Sequence, residues 1–351
     1  GTFIPATDQG NPMTRCIALL SGGLDSMLAI RIMQEQGIEV EALNFKTMFT
    51  CCQDLSAQVA RDLGVNLTII GQEDDYLDLV RNPEYGYGKG ANPCVDCRIY
   101  MFERAKKFMH QVDAQFIISG EVVGQRPMSQ KRSDLDTISY QSGLEDLLLR
   151  PLSAKLLPPT KPEREGLVDR EKLYGVQGRS RKFLIELAHK YNLKDIPTPS
   201  TGCSLTEPEF GRKVHDLIQI QVDDKPWDYD ALNVGRHFRW NENTKVILGR
   251  DHQENLKLEY MHKMEDATSS ALIEPLSFKG PTALVTGPAN EDSISYAAGL
   301  VYRYGSTLED EPNTVRVDAE TGSQEMVAVP TDRSSDDITI AMTTGLRRQE
   351  R

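Results

Sequence analysis

Three cysteines in this sequence are placed where thiols can act together. Cys94 and Cys97 are separated by two residues, and Cys203 follows Gly202 in a loop rich in Pro, Thr and Ser. Two thiols at the start of a predicted helix can bind one metal or one cluster, and the helix N–H groups with Arg98 favour the thiolate. Three thiolates with one open position suit a [4Fe–4S] cluster, which makes Cys94, Cys97 and Cys203 candidate catalytic and metal-ligating residues.

Other interpretations of the cysteines stay open at this point. A C-x-x-C pair can form a redox dithiol, although the surrounding sequence lacks the thioredoxin pattern. Structural zinc requires a fourth Cys or His, and none stands at a regular spacing. The three thiols can also be unrelated to one another. Cys16 lies in an apolar run and is interpreted as a core residue. Cys51 and Cys52 follow a predicted strand, and the pattern does not decide whether they carry a persulfide.

A second candidate site is the turn at residues 21–26, which reads SGGLDS and follows a predicted strand. Its two glycines permit positive φ angles and a close approach to a ligand, and consecutive N–H groups at a helix start attract anions. The two serine hydroxyls can donate hydrogen bonds to phosphate oxygens, whereas Asp25 is expected to cap the helix or to help hold Mg²⁺. A ligand-free strand–helix turn is the alternative. The candidate nucleotide-binding residues here are Ser21, Gly22, Gly23, Asp25 and Ser26.

The elements that must position these residues alternate along the first part of the chain. Apolar periodicity predicts strands at 15–20, 39–45, 66–70 and 114–119. It predicts helices at about 25–36, 53–63, 98–111 and 181–191. Alternating strands and helices of this length favour an α/β fold with a parallel, doubly wound sheet and right-handed crossovers. Beyond residue 223 the pattern changes to short strands and turns with a helix over 251–264, which predicts a smaller α+β domain.

Taken together, the SGGLDS turn, the NPCVDC segment (92–97) and the PTPSTGCSLT segment (197–206) resemble the PP-loop tRNA thiouridine synthetases over about residues 14–215. The resemblance implies that ATP is cleaved between its α- and β-phosphates. It further implies that a uridine carbonyl oxygen is adenylated and then replaced by sulfur. Relatives with three such cysteines hold an iron–sulfur cluster between them. The expected cofactors are therefore ATP, Mg²⁺ and a [4Fe–4S] cluster, in a PP-loop ATP pyrophosphatase domain at 13–222.

The same resemblance adds residues to the nucleotide site. Gly120 ends the fourth predicted strand, and Phe45 ends the second. Lys155 follows an Arg-Pro-Leu segment, and Arg179 lies in a basic turn; either cation can neutralise pyrophosphate or contact RNA phosphates. The polar loop 124–130 (GQRPMSQ) is expected at the carboxyl edge of the sheet, where ligands bind in such folds.

The segments GRHF (235–238) and KVILGR (245–250) resemble the NFACT RNA-binding domain, which is expected at 223–351. The chain carries a net charge of −12, but residues 98–213 hold 20 Lys and Arg against 15 Asp and Glu. Residues 223–351 hold 14 against 23, and affinity for RNA depends largely on cations. Binding through a local basic face, binding to a partner protein, and dimerisation are the alternatives for this domain.

The remaining expectations concern partners and compartment. Residues 1–12 are interpreted as a tag remnant, and no apolar run is long enough to span a membrane. Without a signal peptide we expect a cytoplasmic protein with reduced thiols. The expected partners are tRNA and a sulfur donor, either sulfide or a cysteine desulfurase, and a homodimer is a candidate assembly.

Three rival hypotheses stay open. The first is a persulfide enzyme without a cluster, in which Cys203 carries sulfur and Cys94 or Cys97 resolves a disulfide. The second is a PP-loop transferase that acts on a small molecule. The third is an ATP-dependent RNA-binding sensor without enzymatic activity.

Overall fold

A computed structural model of this 351-residue protein describes residues 13–50, 55–198, 202–220 and 224–331. Cys51, Cys52 and the interpreted tag at 1–12 lie outside the described residues, so the interpretations placed on them stay predictions.

The described residues form two compact units. The first consists of the residues up to Gly88 together with Pro93–Cys203, and the second of Lys89–Asn92 together with the residues from Ser204 onwards. This division falls earlier than the predicted domain limit at 222. The helix at Pro208–Ile220 belongs to the second unit, where it packs against Lys89–Asn92.

The first unit is an α/β unit built on a five-stranded sheet in the order β3-β2-β1-β4-β5, and every pairing is parallel. This confirms the predicted α/β fold. Its elements are β1 (Arg15–Leu19), α1 (Leu24–Gln34), β2 (Glu39–Lys46), α2 (Ser56–Leu63), β3 (Asn66–Gly71), α3 (Asp75–Arg81), α4 (Cys94–Gln111), β4 (Phe116–Ile118), α5 (Arg132–Gln141), β5 (Leu148–Leu149), α6 (Lys161–Arg164) and α7 (Lys182–Lys190).

Helices cover both faces of this sheet, which is why its central strands are apolar throughout. On one face α1, α2 and α7 build a core that includes Leu28, Ile32 and Leu184. On the other face α4 and α5 build a second core around Phe102 and Ile138. A parallel strand buried on two sides has no solvent face and therefore needs no polar alternation. The arrangement is doubly wound, as predicted.

The strand order reverses beside β1. The chain leaves β1 toward β2 on one side, and β4 returns to pair with β1 on the other side. In open parallel sheets, ligands bind in the crevice at the carboxyl ends of the strands where this reversal occurs. We therefore expect a ligand to bind beside the residues that follow β1 and β4.

Some helices differ from the prediction. Helix α4 begins at Cys94 rather than at residue 98, so both cysteines of the C-x-x-C pair lie in its first turn. Pro93 precedes the helix, and a proline is tolerated there because its missing N–H has no intrahelical partner at that position. The pattern also left out α3, α5 and the short strand β5.

The second unit contains a six-stranded sheet in the order β11-β10-β8-β9-β7-β6, in which all pairings are antiparallel. With its helices this confirms the predicted α+β class. Its elements are α8 (Pro208–Ile220), α9 (Pro226–Ala231), β6 (Arg236–Arg239), β7 (Lys245–Leu248), α10 (His252–His262), β8 (Ser269–Pro275), β9 (Ala283–Thr286), α11 (Glu291–Arg303), β10 (Thr314–Ala319) and β11 (Gly322–Val327). The long helix α11 and the strands β8, β10 and β11 were missing from the prediction. No helix among the described residues of either unit is long and apolar enough to cross a membrane.

The carboxyl end of β4 lies directly against the start of α1. A Cβ atom built on Gly120 would lie 2.4 Å from the carbonyl carbon of Asp25 and 2.5 Å from the backbone nitrogen of Ser26. Backbone atoms cannot rotate away as the end of a flexible side chain can. Only glycine fits between these two elements.

We therefore expect Gly120→Ala to lower the free energy of unfolding by about 1–3 kcal/mol, the usual cost of overpacking. The matched control is Gly71→Ala at the end of β3, where an added Cβ meets no atom within 4 Å. Chemical denaturation of both variants measures the difference. Equal stability of the two would contradict the close approach described here.

Candidate functional site

The turn after β1 presents backbone amides at the start of a helix. Gly22 has a φ of +79°, and Gly23 is the N-cap of α1. The first intrahelical bond of this turn runs from the N–H of Met27 to the carbonyl of Gly23 at 3.2 Å. The amides of residues 24–26 precede that bond and point out of the helix end, where the positive end of the helix dipole favours anions.

The serines of the turn are held inside it. The hydroxyl of Ser26 donates to the carbonyl of Gly23 at 2.8 Å, and the hydroxyls of Ser21 and Ser26 lie 3.5 Å apart. The amide of Gly23 donates to the Ser21 hydroxyl at 3.4 Å. Four of the predicted nucleotide residues therefore form one concave surface: Ser21, Gly22, Gly23 and Ser26.

A buried asparagine fixes the approach to the turn. Asn44, in β2, donates from Nδ2 to the carbonyl of Leu20 at 2.7 Å, and the amide of Leu20 donates to the carbonyl of Leu43 at 2.9 Å. Leu20 immediately precedes the turn, so these two bonds set where it begins. Sequence reasoning missed Asn44, although an amide inside an apolar strand was the available signal.

Asp25 does not cap the helix, contrary to one of its two expected roles. No side chain caps α1, and Asp25 lies in its first turn facing the neighbouring loops. Burial raises the pKa of Asp25, while a hydrogen bond from Gln125 and the charges of Arg181 and Arg126 act to lower it. Asp25, Gln125, Arg126 and Arg181 therefore converge at one point beside the phosphate turn.

Lys155 lies elsewhere. It borders an open cavity of about 580 Å³ with Glu35 and Gln36, which follow the carboxyl end of α1, and its Nζ lies 3.4 Å from an oxygen of Glu171. Helix α1 has 11 residues and is therefore about 16 Å long. Lys155 lies near its carboxyl end and the phosphate turn lies at its amino end, so the length of the helix separates them. The structure thus places Lys155 away from the phosphate turn, and its expected contact with pyrophosphate or RNA phosphates stays a prediction.

The other predicted nucleotide-binding residues differ in their distance from the phosphate turn and in their exposure. Gly120 touches the turn, as described above. Phe45 lies near the carboxyl end of β2 and packs half-buried against the core on the α4 face. Arg179 is exposed and follows Gly178, whose amide donates to the carbonyl of Val123 at 2.8 Å. That bond joins the basic turn to the strand end from which the loop 124–130 departs.

The cysteines meet around the hydroxyl of Tyr76. This hydroxyl lies 3.4 Å from Cys97 Sγ. Burial raises the pKa of Tyr76 well above its usual value, and the charges of Cys97 and then Cys203 raise it further. The charge of Cys94 in turn acts on Cys97. The three predicted thiols therefore share one locality, although sequence reasoning had no signal for the tyrosine.

The thiol of Cys97 is not activated as the sequence suggested. Burial raises the pKa of Cys97, and this effect outweighs the hydrogen bond from Tyr76 and the charge of Arg98, which both lower it. The charge of Arg98 thus favours the thiolate of Cys97, as expected, but burial has the larger effect. Burial destabilises the anionic thiolate more than the half-exposed guanidinium of Arg98 stabilises it.

Chain segments far apart in the sequence lead to these thiols. In the second unit the amide of Ala91 donates to the carbonyl of Leu205 at 2.9 Å, and a Cβ on Gly90 would lie 2.3 Å from the same oxygen. Cys94 comes three residues after Ala91, and Cys203 comes two before Leu205. Thr50 and Cys203 also pair as an isolated antiparallel bridge, which ties this loop to the turn after β2.

Arg126 stands between the two halves of the site. Its charge acts on Asp25, and its Nη1 lies 3.9 Å from the place that a Cβ on Gly202 would occupy, next to Cys203. The phosphate turn and the cysteines therefore lie on the same edge of one sheet with a guanidinium between them. The sequence pointed to the loop that carries Arg126 but not to this residue.

A buried ion pair lies behind the site. Glu121 and Arg150 are both almost fully buried, and Arg150 Nε donates to Glu121 Oε2 at 2.9 Å. Arg98, which follows Cys97, lies 3.6 Å from Glu121 Oε1. Removing one member of a buried pair leaves an uncompensated charge, so this group holds α4, β4 and β5 in one arrangement.

The three thiols do not already form a single-ion site. Over the described parts of the chain, no three His, Cys, Asp or Glu side chains are arranged to hold one metal ion. The donor set is nevertheless three thiols, the ligands that iron–sulfur clusters use. The local chemistry thus fits a cluster, whereas the side-chain arrangement does not match a mononuclear centre.

Several cations of the second unit are directed inward. Lys213 donates to the carbonyls of Leu232 and Gly235 at 3.3 and 3.0 Å, and Arg239 pairs with the buried Asp216. Lys245 is buried, and desolvation lowers its pKa to about 8. These three cations therefore stabilise the unit from within rather than forming an open basic surface.

Comparison with known proteins gives matches to both units. Residues 14–143 match the tRNA methyl transferase HUP domain, and residues 235–338 match the NFACT protein RNA binding domain. A tRNA-specific 2-thiouridylase of Leptospira interrogans is 30% identical over 115 residues, which is 26% of this chain and 31% of that protein. One of Trichlorobacter lovleyi is 26% identical over 155 residues, 41% of this chain and 44% of that protein. The chain thus spans less than half the length of these relatives.

Solved structures also align with the chain. A 4-thiouridine synthetase in complex with RNA and ATP aligns with a TM-score of 0.35 and 19% identity, covering 59% of this chain and 50% of that one. The C-terminal part of a fibronectin/fibrinogen-binding protein from Streptococcus suis aligns with a TM-score of 0.26 and 11% identity, covering 44% of this chain and 73% of that one. The two family matches thus cover separate parts of the chain, residues 14–143 and residues 235–338.

Proposed function

We propose that this protein is an ATP-dependent tRNA uridine sulfurtransferase. The observation that carries the proposal is the position of Arg126, between Asp25 of the phosphate turn and Gly202 beside Cys203. Activation of an oxygen and delivery of a sulfur must occur within reach of one carbon atom. A phosphate-binding turn and a group of thiols on the same sheet edge meet that requirement.

The phosphate turn would bind and orient ATP. The free amides of residues 24–26 and the hydroxyls of Ser21 and Ser26 would hold phosphate oxygens, and Asp25 would contribute to a Mg²⁺ held chiefly by those phosphates. The uridine carbonyl oxygen then attacks the α-phosphorus, and the bond to the bridging oxygen breaks so that pyrophosphate leaves. Arg126 and Arg181 would neutralise the charge that develops on the phosphates in this step.

The thiols would serve the second step. A nucleophilic sulfur adds to the activated carbon, and AMP leaves with the former carbonyl oxygen. We propose that Cys94, Cys97 and Cys203 hold a [4Fe–4S] cluster for this step, because three converging thiols leave one iron without a protein ligand. When bound, such a cluster would supply an anionic sulfide at neutral pH.

A persulfide route is the second candidate, and one observation favours it. The Cys97 sulfur contacts the Tyr76 hydroxyl, a partner that can stabilise the thiolate needed for attack. In this route Cys203 carries the transferred sulfur as a persulfide, and attack by the Cys94 or Cys97 thiol on Cys203 Sγ releases that sulfur and forms a disulfide. Sulfide would be the donor in the cluster route. In the persulfide route a cysteine desulfurase would be the donor, because its own persulfide transfers sulfur to the Cys203 thiol without any further oxidant.

The second unit would bind the RNA. Its match to the NFACT RNA binding family supports this role, and the inward-directed cations indicate that exposed residues outside that group make the phosphate contacts. Because phosphate contacts dominate RNA affinity, we propose that the net-positive stretch 98–213 shares in binding tRNA. A homodimer stays a prediction.

We expect Arg126→Ala to lower the rate of tRNA-dependent pyrophosphate release by about 100-fold, the usual effect of removing one group that stabilises transition-state charge. Lys155→Ala is the matched control, since Lys155 pairs with Glu171 at the other end of α1. Its rate is expected to stay within roughly twofold of the wild type. Release of labelled pyrophosphate measures both. Equal losses in the two variants would contradict the assignment.

We expect replacement of Cys94, Cys97 or Cys203 by Ala to abolish tRNA thiolation while ATP binding is retained, because the thiols and the phosphate turn serve separate steps. Mass spectrometry of the tRNA nucleosides measures thiolation, and nucleotide titration measures binding. Cys16→Ala is the control, since Cys16 is buried in the core. Thiolation by the triple Cys→Ala variant would rule out every route that depends on these three cysteines.

Anaerobic purification separates the two candidates. With a cluster, the wild-type protein is expected to carry iron and acid-labile sulfide in the roughly equal amounts of a [4Fe–4S] centre, and the triple cysteine variant to carry neither. Thiolating protein that contains no iron would exclude the cluster and leave the persulfide route. Iron and sulfide analysis with the visible absorption spectrum supplies the measurement.

A further inference from the structure

Tyr76 places one polar atom among the cysteines. Its side chain is 1% exposed, and its ring packs edge-on against Tyr100 with centroids 5.2 Å apart. Phe49 lies on another side at 6.4 Å. The ring is thus an ordinary core residue of the first unit, and the hydroxyl is the part that needs an explanation.

The polar surroundings of that hydroxyl include Cys97 and Thr47. It lies 3.4 Å from Cys97 Sγ, and the Thr47 side chain donates a hydrogen bond that lowers the pKa of Tyr76. Either atom can donate in the contact with Cys97, and the hydroxyl is the stronger donor of the two because a thiol S–H donates only weakly. Cys203 is near enough for its charge to act on the same hydroxyl.

A purely structural role does not account for the hydroxyl. Phenylalanine would fill the same space, and burying a hydroxyl costs free energy unless its hydrogen bonds recover that cost. The neighbouring Tyr100 shows a structural hydroxyl of the ordinary kind. It accepts from the amide of Glu73 at 3.1 Å and donates to Asp75 Oδ1 at 3.0 Å. These two bonds join α4, which carries Tyr100, to the residues at the start of α3. The Tyr76 hydroxyl instead contacts a thiol.

We propose that Tyr76 is a positioning residue of the sulfur site, whose hydroxyl donates a hydrogen bond to Cys97 Sγ and orients that sulfur toward Cys203. The proposal rests on the proposed function for its consequence in catalysis, but the hydrogen bond itself does not depend on that function. A donor at this place stabilises negative charge on sulfur, whether the sulfur is a thiolate, a cluster ligand or a persulfide. It acts on sulfur delivery and has no contact with the phosphate turn.

The test compares Tyr76→Phe with Tyr100→Phe in the full chain. Each variant removes one hydroxyl from the same packed pair of rings, and only the first hydroxyl contacts sulfur. Three measurements are made: tRNA-dependent pyrophosphate release, single-turnover thiolation of tRNA, and the rate of iodoacetamide alkylation at Cys97 mapped by mass spectrometry. Thermal unfolding of each variant reports on the fold.

For Tyr76→Phe we expect thiolation to fall by about tenfold or more, the effect of losing one hydrogen bond to a charged group. Pyrophosphate release is expected to stay within roughly twofold, and alkylation of Cys97 in reduced, iron-free protein to slow several-fold. For Tyr100→Phe, both catalytic rates and Cys97 alkylation are expected to stay near those of the wild type.

Wild-type thiolation and alkylation of Cys97 at wild-type rates in Tyr76→Phe would overturn the proposal. Parallel losses of thiolation, pyrophosphate release and thermal stability would also overturn it, because they indicate a structural role. If the wild-type protein does not thiolate tRNA, the proposed function fails. In that case the alkylation rates of the two variants still decide whether Tyr76 acts on Cys97.

Discussion

The site depends on the close contact between the end of β4 and the start of α1. Gly120 lies against the backbone of Asp25 and Ser26 at a distance that admits no side chain. This contact forms at the point where the strand order reverses, so it determines how near the chain after β4 can come to the phosphate turn. The loop that carries Gln125 and Arg126 reaches Asp25 because the strand before it ends there.

A second layer of polar contacts supports this arrangement from inside the sheet. Asn44 holds the entrance to the turn, and the buried pair of Glu121 and Arg150 holds the strand ends together. Buried ions rarely add stability over well-packed apolar groups, but they strongly penalise any arrangement in which they separate. Arg98 extends the pair to the helix that carries Cys94 and Cys97. The position of that helix is thereby coupled to the strand whose end touches the phosphate turn.

The electrostatics of the site divide into two parts with opposite character. Around Asp25, two arginine charges and a hydrogen bond oppose the effect of burial on the pKa. Around Cys97, burial dominates and the pKa of the thiol is raised. A sulfur in such surroundings stays protonated until a metal, a hydrogen-bond donor or a persulfide bond changes its state. The tyrosine hydroxyl is the donor that the described residues provide.

The sequence by itself determined the α/β class, the phosphate turn and the three thiols, because strand and helix periodicities and short motifs are local properties of the chain. It did not distinguish the positions of Lys155 and Arg126, since both are basic residues in segments that the resemblance placed near the nucleotide site. Only the three-dimensional path of the chain sends one to the far end of α1 and the other to Asp25. The predicted start of α4 was four residues too late, because a helix that begins at Cys94 has its first turn in a segment without apolar periodicity. The convergence of Cys97, Cys203 and Tyr76 was decided by tertiary structure alone, since residues so far apart in the chain become neighbours only when strands and helices pack.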